Sequence, residues 1–212
     1  MSIIDEFHKL YYDEEHRSPI LNNTRWHGIV LQKCPLDLFS YQEIMYEVKP
    51  KLVVETGTLH GGSALWLSHM MSLLHGDNGW SVISIDIKHE LYLPRQPRLT
   101  YLKGSSTAAS IIESVSNFAN RLSPVMVILD SDHRADHVYQ ELEMYNRFVS
   151  PGSYMIVEDT DISGHPILPR FGPGPMEALK SWLPNHPEFE IDKSREKFLM
   201  TCNPDGYLRR KL

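Results

Sequence analysis

Four apolar segments of this sequence each end in a carboxylate, and these acids are the residues best suited to chemistry. They are Glu55, Asp86, Asp130 and Glu158. If the segments are parallel strands of one sheet, the acids meet at its carboxyl edge, where open α/β sheets bind their ligands. Asp86, at the end of the second such strand, occupies the position that accepts hydrogen bonds from ribose hydroxyls. It could instead cap a helix or hold a loop.

Acidic residues are concentrated in two short motifs, Ile128–His133 (ILDSDH) and Val157–Asp161 (VEDTD). Carboxylates crowded into one cleft repel each other unless protons or a cation neutralise them. A set of oxygen ligands suits Mg²⁺, with Ca²⁺ and Mn²⁺ as alternatives. Two of the acids could instead merely cap the following helices. The four candidates are Asp130, Asp132, Glu158 and Asp159.

One histidine directly follows the first acidic motif. An unperturbed histidine titrates near neutrality, so His133 is a candidate general base beside the acids. A structural role next to a metal is the other interpretation of this residue. His165, in the proline-rich loop Asp161–Pro175, is the alternative base.

The segment Lys51–Ser63 (KLVVETGTLHGGS) has the pattern of a strand, a tight turn and a helix N-terminus. Glycines there allow positive φ and let a ligand approach the backbone. This is the local geometry of a nucleotide site in an open α/β sheet, although a plain connection is also possible. Ser63 is expected to cap the helix. A second turn, Gly104–Ser106, could bind an adenine or a neighbouring backbone group.

Strands alternate with helices after Lys51, which predicts a mostly parallel sheet with right-handed crossovers. A closing strand pair is expected at Phe189–Asp192 and Phe198–Cys202. Helices are expected at residues 2–16 and 36–48, with a loop at 17–24. We therefore predict an N-terminal helical segment (1–50), which covers a pocket or contacts another copy, and one α/β domain (51–212). The five preceding strands are predicted at Leu52–Glu55, Ser81–Asp86, Thr100–Leu102, Val125–Asp130 and Tyr154–Glu158.

Composition excludes several classes of protein. The net charge of −6 over 212 residues argues against a nucleic-acid partner, and the basic run Arg209–Lys211 is expected to be solvated. Two cysteines are too few for a disulfide framework, which favours a cytoplasmic location. No secretory signal and no apolar run long enough for a membrane helix are visible.

Six motifs follow one another along the chain: WHGIVLQKCPLDLFSYQEI (Trp26–Ile44), VVETGTLHGGSA (Val53–Ala64), ISID (Ile83–Asp86), LKGSS (Leu102–Ser106), LDSDH (Leu129–His133) and GSYMIVEDTD (Gly152–Asp161). In their order and spacing these motifs resemble the class I S-adenosylmethionine-dependent methyltransferases. The sequence resembles more closely the family named after cephalosporin hydroxylase, which includes sugar and antibiotic O-methyltransferases. That resemblance implies a Rossmann-like, seven-stranded sheet with helices on both faces.

The resemblance also implies roles for individual residues. His133 is the implied base, with Asp132 beside it. The implied Mg²⁺ ligands are Asp132, Glu158 and Asp159; relatives place the first ligand at the equivalent of either Asp130 or Asp132, and Asp132 is favoured. The implied S-adenosylmethionine-binding residues are Glu55, Thr56, Gly57, Gly61, Gly62, Ser63, Asp86, Ser105, Ser106 and Asp130.

The resemblance therefore predicts an O-methyltransferase that uses S-adenosylmethionine and Mg²⁺ on a hydroxyl of a sugar or secondary metabolite, and that self-associates. One alternative is a catalytically silent cofactor-binding subunit. Another is an oxidoreductase with a nicotinamide cofactor, but the turn lacks GxGxxG and hydride transfer has no use for the acids. A third is an iron-dependent hydroxylase, which needs two histidines and a carboxylate around the metal.

Overall fold

A seven-stranded, twisted sheet carries the residues singled out above. The computed structural model describes residues 2–16 and 18–212. The helices are α1 (Ile3–Tyr12), α2 (Pro19–Asn23), α3 (Pro35–Val48), α4 (Gly62–His75), α5 (Ala109–Ala119), α6 (Ala135–Tyr145) and α7 (Pro175–Trp182). The strands are β1 (Arg25–Trp26), β2 (Ile29–Val30), β3 (Leu52–Thr56), β4 (Ser81–Asp86), β5 (Leu99–Lys103), β6 (Val125–Leu129), β7 (Tyr154–Val157), β8 (Phe189–Ile191) and β9 (Tyr207–Arg210).

The strand order across the sheet is β5-β4-β3-β6-β7-β9-β8. The first five strands are parallel, and β9 runs antiparallel to both β7 and β8. From β3 the chain steps outward through β4 to β5, returns to β6 on the other side of β3, and then steps outward to β7. The carboxyl ends of β3 and β6 therefore flank the switch point at which such sheets bind ligands. The mostly parallel seven-stranded α/β fold is confirmed.

The central strands are apolar on both sides because helices cover both faces of the sheet. Every residue of β3 and β6 is buried. Leu52 and Val54 face the cluster that contains α5, α6 and α7 residues. Val53 packs instead with α4 and with Ile44 of α3. Part of the predicted N-terminal segment is thus built into the core of the α/β layers.

The end of the chain differs from the prediction. Phe198–Cys202 forms a turn and irregular backbone, and the closing strand is β9. The apolar side chains of this segment do not indicate a strand, because Met200 and Cys202 pack against Cys34 in a small separate cluster. Arg209 and Arg210 belong to β9 rather than to a tail, but Arg209 and Lys211 are exposed as predicted, and Arg210 is half-buried. The Arg210 guanidinium donates to the Val149 carbonyl at 2.6 Å.

Three details of the helices also differ. The first helix ends at Tyr12, where Asp13 takes a left-handed φ of 47°. The predicted loop at 17–24 contains α2, with Pro19 in its first turn, a position where proline fits; Arg17 lies outside the described residues. Gly61, rather than Ser63, is the N-cap of α4. None of the described helices has the length and apolar character to cross a membrane.

Candidate active site

Two glycines allow the backbone to close up around the switch point. A Cβ on Gly57 would lie 1.8 Å from the Asp130 carbonyl oxygen, so only glycine lets the turn after β3 touch the end of β6. A Cβ on Gly62 would lie 2.1 Å from the Val30 carbonyl oxygen. This contact holds the start of α4 against β2, which brings the N-terminal segment to the carboxyl edge of the sheet.

Two cavities form a cleft over this turn. One, of about 350 Å³, is lined by Ser105, Ser106 and Asp132, and the other, of about 290 Å³, by Gly62 and Ser63. Both are lined by Gly57, Asp86 and Ser131. Several of the predicted residues therefore line two adjoining cavities, whereas Gly61 lines neither.

Asp86 organises the turn as well as lining the cleft. Its Oδ2 accepts hydrogen bonds from the backbone N–H groups of Thr58 and Leu59, both at 3.0 Å, and its Oδ1 accepts from Lys88. The loop-holding interpretation is confirmed, and the ribose-binding role stays a prediction. The carboxylate holds a loop, and it also faces both halves of the cleft.

Glu55 and Thr56 lie beneath the cleft and line neither of its cavities. Ser84 Oγ donates to Glu55 Oε2 at 2.7 Å, while Glu55 Oε1 has no partner. Burial raises the pKa of Glu55 to about 7, although Lys33 and the serine hydroxyls lower it. Thr56 accepts a hydrogen bond from the Asp130 backbone N–H and so ties β3 to the end of β6.

The two serines after β5 are already engaged within the protein. Ser105 Oγ lies 3.0 Å from Thr107 Oγ1, and Ser106 Oγ lies 3.1 Å from His137 Nε2. His137 also contacts the Ser131 hydroxyl at 3.1 Å. These hydroxyls therefore form a polar wall at one end of the cleft.

An acidic cluster lies at the other end of the cleft. His133 Nε2 is 3.2 Å from Asp130 Oδ1 and 3.4 Å from Asp159 Oδ2. Burial alone would lower the pKa of His133, but Asp159 and Asp130 raise it to about 9. Glu158 completes the cluster; its Oε1 is buried without a partner, and burial raises the pKa of this carboxyl well above its usual range.

A lysine that the sequence analysis missed lies inside this cluster. Lys33 Nζ contacts both Asp130 Oδ2 and Glu158 Oε2, and only 6% of its side chain is exposed. Burial opposes the charge of Lys33, yet Asp130, Glu158 and Glu55 raise its pKa, so it is an ammonium. The available signal was its position close behind the apolar residues Ile29–Leu31 and next to Cys34, because a lysine that is buried with such neighbours needs a paired carboxylate.

Asp132 does not join the cluster. Its carboxylate accepts from the Arg134 guanidinium at 2.7 Å and from the Arg134 backbone N–H at 3.1 Å. It lines the opposite end of the cleft, beside Ser105 and Ser106. The structure therefore brings Asp130, and not the favoured Asp132, to Glu158 and Asp159. The physical reason is that Arg134, at the N-cap of α6, holds Asp132 away from them.

A larger cavity of about 500 Å³ opens on the far side of the cluster. Tyr12 and Gln32 of the N-terminal segment line it, as do Leu168 and Phe171 of the proline-rich loop. His133 and Asp159 line both this cavity and the cleft. His165 lines neither and instead lies 2.7 Å from Glu177 Oε1.

A family model decides what kind of protein has this arrangement. The model, described as rhamnosyl O-methyltransferase/CmcI, matches residues 18–211. The chain belongs to this family. Family membership confirms the resemblance drawn from the motifs and the prediction of an O-methyltransferase.

Relatives of this family cover almost the whole chain. A rhamnosyl O-methyltransferase of Mycobacterium leprae (strain TN) is 39% identical over 99% of this chain and 91% of its own length. A second, from Mycobacterium tuberculosis (strain H37Rv), is 36% identical over 99% of this chain and 85% of its own length. A solved structure described as "cmcI-D160 Mg-SAM" has a TM-score of 0.67 at 20% identity, over 90% of this chain and 78% of that chain. This last likeness confirms the fold.

Proposed function

We propose that this protein transfers a methyl group from S-adenosylmethionine to a hydroxyl of a sugar or secondary metabolite, with Mg²⁺ at the acidic cluster. The observation that carries the proposal is that His133 and Asp159 line both the cleft and the 500 Å³ cavity. A donor in the cleft and an acceptor in the cavity would meet at these two side chains. Alignment of the two reactants at such a junction supplies roughly 7–11 kcal/mol of the barrier reduction.

The cleft is the proposed donor site. Glu55, Thr56 and the turn residues Gly57 and Gly61–Ser63 support the methionine part, and Asp86 accepts hydrogen bonds from the ribose. Ser105 and Ser106 face the adenine end. The free hydrogen-bonding capacity of Asp86 supports its role, because a carboxylate with about four acceptor sites that already accepts three backbone N–H bonds has room for one further donor, on Oδ1.

The proposed metal ligands are Asp130, Glu158 and Asp159. Their oxygens suit a hard cation, and the unpartnered Glu158 Oε1 is a buried acceptor that lacks a positive partner. When bound, Mg²⁺ would lower the pKa of the acceptor hydroxyl and orient it. Asp132 is left out of the ligand set because its carboxylate is occupied by Arg134. Asp130 takes its place.

His133 is the proposed general base. Asp130 and Asp159 orient its ring at the junction of the cleft and the cavity, and in the metal-free protein they also raise its pKa to about 9. Mg²⁺ on these carboxylates would offset their charge and lower that pKa, so that a neutral His133 could accept the proton of the acceptor hydroxyl. The proline-rich loop and the N-terminal segment wall the acceptor cavity and shield it from water. The part of the N-terminal segment before α3 thus acts as a cover over the α/β domain, residues 51–212.

Self-association and a cytoplasmic location complete the proposal. Ile3, Phe7 and Leu10 on α1 expose large apolar side chains, which is the kind of surface that a second copy can cover. Sedimentation velocity of the purified protein measures the association directly. A monomer at all concentrations would contradict it.

Calorimetric titration tests the donor site. We expect S-adenosylmethionine to bind the metal-free protein and NADH not to bind. Transfer of labelled methyl groups to a panel of sugar hydroxyls should then depend on Mg²⁺. Turnover that survives exhaustive chelation would remove the metal from the proposal, and binding of NADH in place of S-adenosylmethionine would contradict methyl transfer.

A further inference from the structure

Lys33 brings a positive charge of the protein into the cluster where a metal is proposed. The residue lies between β2 and α3, on a backbone segment that the Gly62 contact holds against α4. Its Nζ contacts one oxygen of Asp130 and one of Glu158. The other oxygen of Asp130 faces His133, and the other oxygen of Glu158 has no partner.

In the metal-free protein the acidic cluster favours a positively charged side chain among its carboxyl groups. Asp130, Glu158 and Asp159 carry three carboxyl groups, and the only basic groups that contact them among the described residues are Lys33 and His133. Buried carboxylates without a counter-charge are costly, so the Lys33 ammonium stabilises the metal-free fold.

The same ammonium must oppose a divalent cation. Mg²⁺ bound to Asp130 and Glu158 would share with Lys33 the two carboxylates that the lysine already contacts, and two cations so close repel each other in a poorly solvated site. The flexible four-carbon stem of lysine lets Nζ move away from the two carboxylates when a metal binds. The neighbours of Lys33 in the chain, Gln32 and Cys34, both line the acceptor cavity, so this cavity offers nearby space for the displaced ammonium.

We propose that Lys33 is a resident cation that competes with Mg²⁺ for Asp130 and Glu158. It holds the acidic cluster together in the metal-free protein and weakens metal binding, so that the metal is exchangeable. Lys33 is a positioning residue, since it lines neither the cleft nor the acceptor cavity. This inference rests on the proposed function, because it takes the metal site from there.

The test measures Mg²⁺ affinity by calorimetry in the full chain, with no acceptor present. Lys33→Met keeps the apolar stem and removes the charge. We expect it to bind Mg²⁺ at least about tenfold more tightly than the wild type, and to melt at a lower temperature when metal-free. If Lys33 had a merely structural role, its replacement would lower the melting temperature without raising the affinity for Mg²⁺. Lys197→Met, which removes an exposed lysine paired with Glu43, is the matched control and should change neither quantity.

The outcomes separate this inference from the proposed function. If the wild type binds Mg²⁺ and folded Lys33→Met binds it equally or more weakly, competition is overturned while the metal site stands. If neither protein binds Mg²⁺, the proposed metal site fails, and the competition fails with it. Should Lys33→Met not fold, Lys33→Gln carries the same test, because its amide can donate to both carboxylates without a charge.

Discussion

Glu55 is expected to make the stability of this protein fall as the pH rises. Its side chain is fully buried, and burial raises its pKa from 4.5 to about 7. The folded protein therefore holds this proton more tightly than the unfolded chain does. The stabilisation is complete below pH 4.5, where both states are protonated, and it is lost progressively between pH 4.5 and 7.

The size of the effect follows from the shift. A difference of about 2.5 pKa units corresponds to about 3 kcal/mol, and the neighbouring charges make this an upper value. In Glu55→Gln the amide keeps the acceptor for the Ser84 hydroxyl and cannot ionise. The variant should match the wild type near pH 4 and exceed its free energy of unfolding by up to about 3 kcal/mol at pH 8.

Urea unfolding of both proteins, without ligands, between pH 4 and 8 measures this difference. Glu113→Gln, at an exposed position of α5, is the control for the loss of one acid and should track the wild type at every pH. A difference between Glu55→Gln and the wild type that is constant across the pH range would refute the reasoning. That result would mean that Glu55 ionises as easily in the fold as in the unfolded chain.

Three further predictions concern the turn, the donor site and the metal. Gly57→Ala should destabilise the fold by at least about 2 kcal/mol more than Gly28→Ala in thermal or urea unfolding, because the φ values are similar but only Gly57 meets a backbone oxygen; equal losses would contradict this. Asp86→Ala should lower the affinity for S-adenosylmethionine at least about tenfold in calorimetry, and unchanged affinity would remove Asp86 from the site. Glu158→Gln should abolish the Mg²⁺ isotherm while Asp132→Asn retains it, and the reverse pattern would restore Asp132 as the ligand.

Much of the fold could be predicted because its central strands carry strong local signals. The continuous apolar runs before Glu55 and Asp130 are typical of strands buried on both faces, and both strands lie at the centre of the sheet. The last strand could not be located in this way. Phe198–Cys202 is as apolar as a strand, but its buried side chains serve a local cluster with Cys34, and only the pairing partners of β9 distinguish the two segments.

The sequence predicted which acids belong to the site but not which of two neighbouring aspartates faces Glu158. Asp130 and Asp132 are two positions apart in one motif, and nothing in that spacing says which faces the cleft wall and which faces Glu158. The structure separates them by their partners, Lys33 for Asp130 and Arg134 for Asp132. Each partner is a basic side chain whose direction depends on tertiary packing or on a helix cap. Motif spacing alone therefore predicts the acids but not their pairing.

The proposed role of Lys33 predicts that the acidic cluster folds without a bound metal. Lys33 and His133 face three carboxyl groups, and burial favours a bound proton on Glu158 in the metal-free protein. Mg²⁺ would take the place of that proton, and the three ionised carboxylates would then exceed the two basic groups in charge. Without the lysine the excess would be larger and the metal-free fold weaker. With a second lysine, little attraction for Mg²⁺ would remain. A single buried lysine therefore fits the proposed site, which would fold without metal and still bind Mg²⁺.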